Sequence, residues 1–141
     1  MDRIIEFVSN HWILCTAFVI IVFLLGQDLL SGINRAFKMV QPADATLLIN
    51  REDAVVLDIR EEKDFKQGHI LNAIHVPIKS LEQKLNKIEK YKEKPVIVSC
   101  RTGQQSQNAC GLLAKKGFQR LYNLKGGVLA WQGANLPLAK S

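Results

Sequence analysis

The chain has 141 residues, of which 48% are hydrophobic and 23% charged, and a formal net charge of +6. That length holds one compact domain and an appendage, and the balance excludes both a disordered chain and one embedded entirely in a membrane. Three cysteines with no CxxC pair and three scattered histidines leave neither a disulfide framework nor zinc-ligand spacing, so no metal is expected. The charge is unevenly placed. After Glu93 there is no acidic residue, only Lys94, Arg101, Lys115, Lys116, Arg120, Lys125 and Lys140. Such a half-chain draws small anions. It lacks the aromatic-interleaved basic groove that would point to nucleic acid.

Residues 7–27 carry no Asp, Glu, Lys or Arg, and Trp12 to Leu25 is almost wholly apolar. A bilayer core takes about 20 helical residues, which predicts a transmembrane helix over 9–30 after a short segment 1–8. Ser9, Asn10 and His11 then meet one interface and Gln27 and Asp28 the other, with Trp12 where interfacial aromatics collect. A cleaved signal peptide fits less well. Asp2, Arg3 and Glu6 make no basic leader, and no small-x-small site follows Leu25. Arg35 and Lys38 outweigh Arg3, so the globular part is expected to face the cytoplasm from a single-pass anchor. Residues 29–39 read as the helix running on into a juxtamembrane linker (31–39), broken at Gly32 and by Gln41-Pro42. A domain over 40–141 follows.

Pro42 opens a helix through Ala45, Leu47, Leu48 and Ile49, and Ala54 to Asp58 is a buried strand of the parallel type. One or two helical turns over 61–66 and a short strand over 74–76 precede Pro77. Ser80 with Gln83 reads as a capping box for a helix that places Leu81, Leu85 and Ile88 on one face. Val96 to Val98 is a second buried strand. After a loop, Ala109, Leu112 and Leu113 mark a helix stopped by Gly117. Leu121 to Asn123 is a further strand, and Gly126-Gly127 turns into a last helix carrying Val128, Leu129 and Trp131. Strands alternating with helices call for a parallel sheet covered on both faces.

The stretch from Val96 to Ser106 organises the rest. Its strand ends at Cys100, and Arg101, Thr102, Gly103, Gln104, Gln105 and Ser106 lead into the helix. Ligands of open α/β sheets sit at the carboxyl ends of strands. A loop winding into a helix start also offers unpaired amides and the positive end of the helix dipole. A thiol in that cup favours its thiolate. Cys110, by contrast, falls among the core positions of the helix and reads as a small hydrophobe.

Three separated segments, VVLDIREEKDFKQGHILNAIHVPI, VIVSCRTGQQS and LKGGVLAW, resemble in order the single-domain rhodanese sulfurtransferases over roughly residues 40–138. With the apolar segment in front, the chain is similar to the membrane-anchored rhodanese proteins of Gram-negative bacteria. The resemblance implies a three-layer α/β fold with about five parallel strands, behind one transmembrane helix in the inner membrane. It implies that Cys100 takes a sulfane sulfur from a small anion such as thiosulfate, becomes a persulfide, and hands the sulfur to a thiophilic acceptor, a protein or a thiol. No cofactor beyond that covalent intermediate is implied. Arg101 to Ser106 stand where the family's loop points its amides at the sulfur, and Asp58, Arg60, Gly68, His69 and Pro77 match the segment after the second strand. Gly126, Gly127 and Trp131 match the closing one. Arg60 is expected to pair with Asp58, with an anion contact as the alternative, and His69 to be a structural hydrogen-bonder. Two other functions compete: a cysteine phosphatase, which wants an arginine where Ser106 stands, and a tethered docking or carrier module with little turnover.

Overall fold

A computed structural model describes residues 1–33 and 36–140. The chain divides into two compact units, Met1–Arg35 and Ala36–Ser141.

The first unit is two helices, α1 (Asp2–Asn10) and α2 (Trp12–Ile33). Winding at about 3.6 residues per turn gathers Ile4, Ile5, Phe7 and Val8 on one side of α1 and Asp2, Arg3, Glu6 and Asn10 on the other. From Trp12 to Leu25 the large apolar side chains of α2 stand exposed. No single helix among the described residues is long and apolar enough to cross a membrane. Asp2–Asn10 and Trp12–Gln27 reach that length and composition only together, and they are bent by 89°. The break falls at His11, so Ser9 and Asn10 close α1 instead of opening the apolar helix as the 9–30 reading has it. Arg35, used above for orientation, and Asn34 of the 31–39 segment lie outside the described residues.

The second unit is built on strands β1 (Lys38–Val40), β2 (Val55–Asp58), β4 (Ile74–His75), β5 (Val96–Ser99) and β6 (Leu121–Leu124). They form one sheet in the order β1-β6-β5-β2-β4, every pairing parallel. Helices α3 (Pro42–Glu52), α4 (Glu62–Gln67), α5 (Gln105–Lys115) and α6 (Gly127–Gly133) fall in the connections. Alternation along the strands sends neighbours to opposite faces. Val96 and Val98 join Leu57, Ala109, Cys110 and Leu113 of α5 in one core, while Ile97 joins Val56, Ala45 of α3 and Trp131 of α6 in another. The three layers follow from that two-sided burial.

Three local features differ from the sequence reading. Lys38–Val40 is a sheet edge paired to β6, not linker; only Val40 of the three is buried, so no apolar run announces it. The expected helix after Ser80 is instead three 3-10 turns, Ile78–Ser80, Leu85–Lys87 and Glu89–Tyr91. Leu85, Ile88 and Tyr91 recur every third residue, the period at which 3-10 side chains eclipse, and all three turn inward. Lastly, β3 (His69–Ile70) pairs antiparallel with β7 (Leu138–Ala139), a two-residue ladder too short to leave a periodic signature.

Candidate active site

Cys100 directly follows β5, the central strand, and lies at the sheet's carboxyl edge. The backbone then bends through Arg101 to Gln104 before α5 begins, so the loop amides curl back toward the sulfur. The Gly103 amide donates to Sγ at 3.0 Å. That turn needs a left-handed residue: Gly103 has φ +89°, and a Cβ there would fall 3.0 Å from Leu124 O and Gly126 N. Ser106, buried in the first turn of α5, places its hydroxyl 3.4 Å from Sγ. As a thiol Sγ donates to that oxygen; once ionised it accepts when the hydroxyl turns its single proton to the sulfur.

Behind the loop stands Asn123 of β6, in register with Val98 of β5 and wholly buried. While Cys100 is a thiol, Asn123 Oδ1 accepts a hydrogen bond from the Ser106 hydroxyl. Its Nδ2 donates to Gly103 O at 2.9 Å and lies 3.3 Å from Met39 Sδ. One amide side chain thus fixes both Gly103 and Ser106 against the sulfur. Asn123 was not singled out from the sequence, although a polar residue between apolar neighbours in a buried strand is a signal.

The closing helix braces the same loop. Val128 N donates to Cys100 O at 2.9 Å and Leu129 N to Arg101 O at 3.2 Å. Gly127, at φ +60°, permits that approach: a Cβ would meet Cys100 O and lie 2.6 Å from the Arg101 carbonyl carbon and oxygen. Occupying the two carbonyls from outside leaves the loop amides turned inward.

Burial pushes the Cys100 thiol up, but hydrogen bonds from the Ser106 hydroxyl and from the amides of Ser106, Gly103 and Thr102 outweigh it, and the thiol ends below its ordinary value. The helix start and its amides, not a neighbouring cation, do most of this. Cys110, ten residues on, sits in the opposite condition. Burial, with the charge of Cys100 adding to it, pushes its thiol up to about 12, which makes it inert.

Cys100 is 2% exposed, and a reagent reaches it through the cleft it lines. That cleft, about 340 Å³, is bounded by Arg60, Glu61 and Asp64 and by Arg101, Thr102, Gln104 and Gln105 of the loop. Arg101 is exposed at its rim. Arg60 is held far more tightly: Nε lies 3.1 Å from both Asp58 oxygens, and Nη2 donates to Asp58 Oδ2 at 2.8 Å and to Gly68 O at 2.7 Å. The pairing expected of Asp58 and Arg60 and a place in the cleft therefore hold together. His69 does not line the cleft. Its Nδ1–H donates to Phe65 O at 2.8 Å while the ring stacks on Phe65 at 3.8 Å, and His75 stacks on the same ring and donates to Arg60 O at 2.7 Å. Of the basic residues after Glu93, Lys94 is engaged by Asp53 and Arg120 by Glu52, leaving Arg101 as the one beside the sulfur.

Among known proteins, a family model described as a rhodanese-like domain matches residues 41–134. The chain is 38% identical over 141 residues to the uncharacterized protein YibN of Escherichia coli K12, with 99% of each chain covered. It is 33% identical over 96 residues to the thiosulfate sulfurtransferase GlpE of Coxiella burnetii, covering 68% of this chain and 88% of GlpE. A crystal structure of a rhodanese-related protein from Thermoplasma volcanium matches with a TM-score of 0.67 at 28% identity, over 74% of this chain and 100% of that one. The matched residues take in four of the five sheet strands, the Cys100 loop and its bracing helix, and the chain belongs to the rhodanese-like family.

Proposed function

We propose that this chain is a membrane-anchored sulfurtransferase that moves a sulfane sulfur from a donor such as thiosulfate to a thiophilic acceptor through a persulfide on Cys100. The observation that carries the proposal is the Gly103 amide aimed at Sγ from 3.0 Å, with Ser106 closing the other side. The Cys100 thiolate attacks the outer sulfur of thiosulfate; a bond forms to Sγ, the bond to the sulfonate sulfur breaks, and sulfite leaves with the electron pair. The persulfide anion then sits where fixed amide dipoles stabilise charge without reorganising. Arg60 and Arg101 line the approach and suit an anionic donor. Attack on the outer sulfur by an acceptor such as cyanide returns the Cys100 thiolate and releases thiocyanate.

A cysteine phosphatase is the less fitting use of the same cup. Ser106 stands six positions after Cys100, where that chemistry wants an arginine. Its buried hydroxyl is committed to Sγ and Asn123, not to a phosphate. The anchor rests on the bent pair Asp2–Asn10 and Trp12–Gln27. In this reading the two helices together anchor the chain in the inner membrane, and the Cys100 domain is cytoplasmic. Thiocyanate formation from thiosulfate and cyanide tests the activity: wild type turns over, while Cys100→Ser does not and keeps its circular-dichroism spectrum. Full activity in that variant, or turnover of a phosphate ester in place of thiosulfate, overturns the proposal.

A further inference from the structure

Beside the Cys100 cleft lies a second one of about 310 Å³, and the two share Arg60, Asp64 and Arg101 as lining residues. The second does not contain Cys100. It adds apolar surface from Leu129 and Leu138 and the amides of Gln67 and Gln132. A donor as small as thiosulfate, or an acceptor as small as cyanide, has no use for this extra space.

Asp64 is the informative member. It is half-buried, it lines both clefts, and among the described residues its carboxylate has no ion-pair or hydrogen-bond partner. At the start of α4 it complements the helix dipole, but Glu62 on the same turn already does so. A carboxylate left unpaired beside a thiolate and an anion path repels the donor. It contributes favourably only when the ligand itself brings a cation. Opposite in sign, Arg60 is fixed by Asp58 and Gly68 O, with no partner for Nη1 among the described residues, and Arg101 stands exposed. The paired clefts therefore offer sites for one ammonium and one carboxylate next to a sulfur.

Building on the sulfurtransferase reading, we infer that the acceptor is a cysteinyl peptide, its ammonium read by Asp64, its carboxylate by Arg60 and Arg101, and its remainder laid along Leu129 and Gln132. Its thiol gives a proton to solvent, and the thiolate attacks the outer sulfur of the Cys100 persulfide. The new S–S bond forms on the peptide, the bond to Cys100 breaks, and Cys100 leaves as thiolate. The sulfane sulfur changes hands with no net oxidation.

The test compares two acceptors that differ by one amine, cysteinylglycine and 3-mercaptopropionylglycine, on the full chain preloaded from thiosulfate. Wild type prefers the amine-bearing peptide by about tenfold in kcat/KM, the size of one charge-assisted hydrogen bond. Asp64→Asn brings the ratio to about one, and Asp64→Glu restores the preference. Equal use of both acceptors by wild type, or an undiminished preference in Asp64→Asn, overturns the inference while leaving the sulfurtransferase reading intact. A wild-type chain that takes up no sulfur from thiosulfate removes both.

Discussion

The Gly103 amide and the Ser106 hydroxyl both reach the sulfur of Cys100, and Asn123 holds them. Gly103 contributes an amide fixed by its own left-handed backbone, and Ser106 a hydroxyl fixed by Asn123. Because these contacts favour the charged form against the burial that opposes it, the thiolate fraction at neutral pH depends on them. Ser106→Ala removes a donor to the thiolate, so the thiol rises toward its ordinary value and the pH profile of Cys100 alkylation moves to higher pH. At neutral pH the alkylation rate falls by about tenfold, the worth of one hydrogen bond to a charged group. Iodoacetamide kinetics across pH 5–10 measure both, and an unmoved profile removes Ser106 from the account. Much of this was readable beforehand. Cys100 announces itself as the polar end of a β-branched run, and Gly103 as the loop residue where a side chain is awkward. Asn123 and Asp64 were missed because each acts across the fold: one reaches the loop from a neighbouring strand, the other lines the cleft from α4.

The loop keeps its shape because α6 holds it from behind. Val128 and Leu129 donate to the carbonyls of Cys100 and Arg101, and Gly127 lets the helix start come close enough to do so. Gly127→Ala forces a Cβ into those carbonyls. It is expected to cost about 1–3 kcal/mol of stability and about 100-fold in kcat/KM through loop displacement. Gly117 is the control. Its φ is +97° but a Cβ there meets nothing within 4 Å, so Gly117→Ala costs backbone strain of about 1–2 kcal/mol with kcat/KM unchanged. Denaturant melts and steady-state rates on the two variants separate strain from displacement. The elements legible in the sequence included the buried strands β2, β5 and β6, the short β4 and α4, and the helices with a capped or glycine-stopped period, α3, α5 and α6. Edge strand β1 was not, having one buried residue of three, nor were the 3-10 turns, since a spacing of three fits a helical face equally well at first sight.

At the scale of the whole chain, two units carry different physics. Residues 36–141 hold both apolar cores and the Cys100 loop, while α1 and the Trp12 to Leu25 stretch of α2 expose their large apolar side chains. A chain starting at Ala36 is therefore expected to be water-soluble, cooperatively folded and as fast in thiosulfate–cyanide turnover as the full protein. The full protein is expected to sediment with membranes through a high-salt wash and to be released by detergent. Fractionation of both forms with an activity assay checks this, and a salt-released full chain contradicts the anchor. The proposed anchor would confine the proposed persulfide to a surface and raise its effective concentration toward any partner held there. The central claim is chemical, and intact-mass spectrometry tests it most directly. After thiosulfate the chain should gain one sulfur atom, mapped to Cys100, which cyanide strips away; a chain whose mass does not change, or a sulfur carried on Cys110, contradicts the account.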